Sequence, residues 1–147
     1  MSSELSTLRT SRVLPFSAKA IYQAFSNPQL LAQWWGPEGF SNTFAVFEFI
    51  VGGRWQFTMH GPDGTDYTNE SQFTALVPDQ KVVIAHVCAP LFTLTIELTP
   101  LQNGTQLSWV QIFADEQAAH IVRQLYPLAN EQNLDRLTQV LNQAPTV

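Results

Sequence analysis

The chain has 147 residues, 45% hydrophobic and only 13% charged, and seven Lys plus Arg against twelve Asp plus Glu leave a net charge of −5. That length suits one domain of roughly 100–200 residues, so residues 1–147 are read as a single domain around one core. The apolar content excludes a disordered chain, no apolar run approaches the ~18 residues that span a bilayer, and the acidic balance lacks the basic footprint that phosphate neutralisation requires. Nucleic-acid binding and membrane insertion are not expected.

In chain order, Thr7 to Leu14 reads as an extended stretch. Ser17 offers an N-cap to a short helix carrying Ile21, Ala24 and Phe25. Asn27-Pro28 starts a second short helix with Leu31, Trp34 and Trp35, which Gly36-Pro37 ends. From Phe44 to Phe113 apolar and polar residues alternate, with turn signals at Gly52-Gly53, Pro62-Asp63-Gly64, Pro78-Asp79, Pro100 and Asn103-Gly104. This predicts an antiparallel meander of about six strands with one buried face. In Asp66 to Ala75 the register that buries Phe73 turns Tyr67, Asn69 and Ser71 inward and Glu70 outward. Asp115 caps a helical region whose first stripe is Ile121, Val122 and Leu125; the second, Leu134, Leu137 and Leu141, is out of phase with it across Pro127. Proline removes an N–H and clashes with the preceding turn, so two helical segments are expected. The order gives an α+β fold with helices packed on one face of an antiparallel sheet.

Six short motifs lie along nearly the whole chain: Trp34-Trp35-Gly36-Pro37, Gly52-Gly53-Arg54-Trp55-Gln56-Phe57, Gly61-Pro62-Asp63-Gly64-Thr65-Asp66-Tyr67, Val77-Pro78-Asp79-Gln80-Lys81-Val82-Val83, Asn103-Gly104-Thr105 and Asn133-Leu134-Asp135-Arg136-Leu137. In this order they resemble the activator of Hsp-ninety ATPase homologue-like family of START-like (birch-pollen-allergen-like, SRPBCC) proteins. The resemblance implies a helix-grip fold: a curved antiparallel sheet wrapped around a long C-terminal helix, two short helices after the first strand, and an apolar cavity between sheet and helix. The sequence departs from the family pattern at Ile50, where many members carry Arg, and at Ala129-Asn130, where they carry Gly and a bulky apolar residue. The first departure removes a polar cavity anchor; the second alters how the helix sits over the cavity.

Aromatic and Met side chains with a few convergent polar groups describe an apolar small-molecule site. Trp55, Phe57, Met59 and Phe73, with Phe92, Leu94, Trp109 and Phe113, are the expected apolar lining. Tyr67, Asn69 and Ser71 are its polar contacts, unless they merely finish the sheet edge. His86, in an apolar strand, reads either as a satisfied structural histidine or as a cavity-facing base or donor. His60 reads as a turn residue, and Cys88, the single cysteine, as a small packed hydrophobe; one cysteine excludes an intramolecular disulfide and fits a reducing compartment. Met1 to Arg12 carries Glu4 and no apolar h-region, so it does not read as a secretory signal, and a cytoplasmic location is expected. His60, His86 and His120 match no metal-ligand spacing, so neither metal nor cofactor is expected. Glu97 should face solvent.

The leading functional expectation is a non-catalytic module that holds a hydrophobic or amphipathic small molecule. The alternatives are a cyclase- or hydrolase-type enzyme using His86 with Tyr67, and a stimulator of a chaperone ATPase. The stretch from Leu5 to Leu14 offers a sheet edge for a homodimer.

Overall fold

The computed structural model describes residues 4–125 and 128–143. After a single 3-10 turn (Glu4–Ser6), the elements run β1 (Thr7–Leu14), α1 (Ala18–Ser26), α2 (Pro28–Trp34), β2 (Ser41–Phe47), β3 (Arg54–His60), β4 (Asp66–Val77), β5 (Lys81–His86), β6 (Phe92–Leu101), β7 (Gly104–Phe113), α3 (Glu116–Leu125) and α4 (Ala129–Gln143). The caps act as the residue types dictate: Ser17 Oγ accepts from Ala20 N–H at 3.1 Å, Asn27 Oδ1 from Gln29 N–H at 2.9 Å and Asp115 Oδ1 from Gln117 N–H at 2.8 Å. Pro28 opens α2, where a missing N–H costs nothing.

The seven strands form one antiparallel sheet in the order β1-β7-β6-β5-β4-β3-β2. Register slips between Phe44 and Val46 on β2 and between Phe73 and Ala75 on β4 mark bulges, which bend a sheet and increase its twist. The concave face is the apolar one, and α4 lays Asn133, Leu134, Leu137, Val140 and Leu141 against the core. This is the helix grip: an open curved sheet closed over by a C-terminal helix.

Three local expectations need correction. Pro100 is not a turn; it lies inside β6 opposite Thr105, and its side chain is exposed. Ile121 is exposed, because α3 turns Ala119 and Val122 inward instead. His60 is the last residue of β3, opposite Asp66, with Nδ1 2.8 Å from Asp66 Oδ1 and Nε2 2.8 Å from Thr43 Oγ1. It therefore shares the outer face with Thr58, away from Phe57 and Met59. The helical region does break in two, at α3 and α4; Pro127 itself lies outside the described residues.

Packing on the concave face is uneven. Under α1, α2 and the β2–β3 turn, aromatic side chains close on one another: Phe73 meets Phe49 at 5.0 Å and Phe47 at 5.7 Å between ring centroids, and Trp55 meets Trp35 at 5.1 Å and Phe44 at 5.4 Å. Toward the far ends of the same strands the inward positions are held by Asn69 and Ser71 on β4, His86 on β5 and Gln111 on β7, and space remains.

Candidate functional site: a cavity between sheet and α4

The space is a cavity of about 270 Å³, close to the lower bound of the roughly 300–1,000 Å³ typical of small-molecule sites. Its floor is the concave sheet: Phe57 and Met59 from β3, Tyr67, Asn69 and Ser71 from β4, Ile84 and His86 from β5, Phe92 and Leu94 from β6, Trp109 and Gln111 from β7. The roof is Val122 of α3 with Ala129, Asn130 and Asn133 of α4, and one side is the loop Trp35-Gly36-Pro37 with Phe40. Tyr67 and Pro90 are exposed members of the wall, where it meets solvent.

Nine of the twelve sequence-derived site residues thus wall one cavity: Phe57, Met59, Tyr67, Asn69, Ser71, His86, Phe92, Leu94 and Trp109. Trp55, Phe73 and Phe113 do not. Trp55 is sealed beneath Trp35, Phe44 and the stacked Phe57 (4.2 Å), Phe73 lies in the filled half under Phe47 and Phe49, and Phe113, 5.3 Å from Phe92, is buried at the end of β7. Alternation shows which face a residue takes but not which part of that face other elements cover. A C-terminal helix over the cavity was anticipated, but Val122 and Asn133 of the roof and the 35–40 loop were not named as its wall. A signal existed for Gln111, which shares the inward parity of Trp109 and Phe113, and for Asn133, a polar residue on the apolar stripe of α4.

His86 is 7% exposed, and both its ring nitrogens are engaged by the protein. Nδ1–H donates to the Pro90 carbonyl at 2.7 Å, and Nε2 lies 2.7 Å from Asn69 Oδ1. The ring stacks on Phe92 at 4.5 Å and 12°. Burial pushes the imidazole below its ordinary value, opposed by its hydrogen bond to the Pro90 carbonyl. The Ala89-Pro90 peptide that presents that carbonyl is cis. Cys88 is not simply a packed hydrophobe: its sulfur accepts from the Glu70 backbone N–H at 3.4 Å and lies 3.5 Å from His86 Nε2.

The loop wall is held from α4. Arg136 donates to five backbone carbonyls, those of Gln33 (2.8 Å), Trp35 (3.0 Å), Gly36 (2.9 Å), Pro37 (2.9 Å) and Phe40 (2.8 Å). Asn133 Oδ1 accepts from Gly36 N–H at 3.1 Å. Gly36 has φ +97°, a backbone conformation that favours glycine, and a Cβ there would stand 2.7 Å from the mobile end of the Met59 side chain, Cε, which would have to shift. At the other end of the roof, Asn130 Nδ2 donates to Gln111 Oε1 at 3.3 Å. Asn130, a departure from the family pattern, is thus a cavity residue. Ile50, the other departure, is 64% exposed and no part of the wall, so the expectation that it removes a cavity anchor is not met.

None of the wall residues carries a formal charge. Among the described residues no group of His, Cys, Asp or Glu could hold a metal ion. Glu70 accepts from Gln56 Nε2 at 2.7 Å, Glu48 from Arg54 N–H at 3.0 Å, and Glu97 points outward, so these carboxylates stay off the cavity. No helix among the described residues is long and apolar enough to cross a membrane.

Comparison with known proteins agrees with this architecture. A Nitrosomonas europaea protein superposes with a TM-score of 0.87 at 18% identity, covering 96% of this chain and 97% of its own. A Chromobacterium violaceum protein gives 0.84 at 27% identity, covering 94% and 99%, and an Arthrobacter aurescens protein 0.87 at 22%, covering 97% and 90%. No curated protein matches the chain. The family model described as activator of Hsp90 ATPase homolog 1-like protein matches residues 15–142, which include both halves of the grip and every wall residue of the cavity, and the chain belongs to that family.

Proposed function

We propose that this protein binds a hydrophobic or amphipathic small molecule in the cavity between the concave sheet and α4. The observation that carries this reading is the persistence of a 270 Å³ space, walled by aromatic rings and neutral polar groups, beside a half of the same core that is filled. Close packing is the rule in protein interiors, and a space with convergent polar groups in one half of a core marks a place for a guest. Family membership supports the reading at the level of a cavity fold.

The test is a titration of the neutral fluorophore N-phenyl-1-naphthylamine into the full chain and into Ala129→Phe, which places a ring in the roof. Saturable one-to-one binding by the parent chain, lost in the variant, is the expected result. Absence of saturable binding by the parent chain overturns the proposal. A native mass spectrum of gently purified protein supplies the companion measurement, reporting subunit number and any retained adduct.

A further inference from the structure

The polar groups of the wall differ in what the protein leaves for a guest. Asn69 is enclosed by the protein, its Nδ2 donating to the Tyr67 carbonyl at 3.0 Å and its Oδ1 lying 2.7 Å from His86 Nε2, and the two His86 nitrogens face Asn69 and the Pro90 carbonyl. Asn133 is half spent. Its oxygen must face Gly36, because Gly36 offers an N–H, which fixes the amide orientation and leaves Nδ2, a group that only donates, without a partner among the described residues. The Ser71 hydroxyl is likewise without a partner among the described residues. Both side chains are more than nine-tenths buried, Ser71 at 2% and Asn133 at 7% exposure, and both wall the cavity. They differ from Asn42 Oδ1, Trp55 Nε1 and Trp109 Nε1, which among the described residues are the fully buried side-chain atoms without a partner. Buried polar groups are nearly always hydrogen-bonded, so two that open on a cavity indicate what should enter it.

We infer that the guest is an uncharged ring compound bearing a carbonyl-type acceptor oxygen, received by the Ser71 hydroxyl from the floor and the Asn133 amide nitrogen from the roof. This rests on the cavity being the binding site. Aromatic walls at Trp35, Phe57, Phe92 and Trp109 offer flat apolar surface to a ring. A carboxylate or ammonium group would be stripped of water with no opposite charge on the wall, which is costly in an apolar enclosure. An acceptor oxygen meets donors already desolvated there.

The experiment uses three probes of nearly one shape: 2-acetylnaphthalene, 2-isopropylnaphthalene, which lacks the acceptor, and 2-naphthoate, which carries a charge. Each is titrated at neutral pH into the full chain with backbone amide NMR as readout. The ketone should bind about tenfold more tightly than the hydrocarbon, the ratio expected of one well-made hydrogen bond, and also about tenfold more tightly than the carboxylate. Ser71→Ala should lower the ratio of ketone to hydrocarbon severalfold, the Asn133 amide nitrogen remaining as a donor. Equal binding of ketone and hydrocarbon by the parent chain, or tightest binding of naphthoate, overturns the inference while leaving the cavity as a binding site. Binding of none of the three removes both. Because the ligand series in the parent chain is decisive alone, the test survives a variant that fails to fold.

Discussion

Two halves of one concave surface behave differently although the same strands build both. On β4, Phe73 lies in the filled half, within 5.0 Å of Phe49, whereas Ser71 and Asn69, two and four residues earlier on the same face, lie in the open half. Strand β5 passes from Val82 through Ile84 to His86 and β7 from Leu107 through Trp109 to Gln111 in the same sense. Large apolar side chains close on one another because burial of apolar area and dispersion contacts drive them together. Polar side chains cannot be closed over without a partner, so the open half needs an internal network, as at His86, or a guest, as argued for Ser71. A core can be locally unfilled because of what lines it, without any defect in the backbone.

The largest effect should come from breaking the filled half. Phe73→Ala removes a fully buried ring and should lower unfolding free energy by about 3–5 kcal/mol in urea denaturation. Next, Arg136→Ala releases five carbonyls of the 33–40 segment; a loss of about 2–4 kcal/mol is expected, accompanied by weaker N-phenyl-1-naphthylamine binding because the loop wall is no longer held. A comparable stability loss with unchanged probe affinity would show that the loop is not a functional wall.

The His86 network gives a smaller, pH-dependent effect. Burial holds the folded imidazole below the unfolded value near 6.5, so the unfolded chain binds more protons as pH falls. Stability contributed by the neutral ring is therefore complete above about pH 6.5 and declines on acidification toward the folded value. Denaturation midpoints measured downward from pH 7.5 should show this decline in the parent chain and a shallower one in His86→Gln. Smallest of all, Ser71→Val in the open half should change stability by no more than about 1 kcal/mol while weakening 2-acetylnaphthalene binding. A cost as large as that of Phe73→Ala would erase the distinction between the halves.

Much of the fold was legible. The helix starts at Ser17 and Asn27, the inward register of β4 and the two-part C-terminal helix follow from local rules of capping, alternation and proline geometry. The floor of the cavity was legible for the same reason, since alternation alone turns Phe57, Asn69, Ser71, His86 and Trp109 to one side. Its limits were not. Trp55, Phe73 and Phe113 share that face yet are covered by Phe47, Phe49 and other residues whose positions depend on how loops and bulges bend, and His60 looked like a turn residue because the partners that make it a strand end, Thr43 and Asp66, come from neighbouring strands.

The sequence by itself determined the order of elements, the buried face of each strand and the family, because these depend on nearest neighbours along the chain and on short motifs. Only the tertiary structure decided which part of that face stays open. That depends on where α4 lands on the curved sheet, and on Arg136 and Asn133 fastening a loop about a hundred residues away in sequence to form the cavity's side. A side chain's alternation is local, but the space in front of it belongs to whatever distant segment packs there.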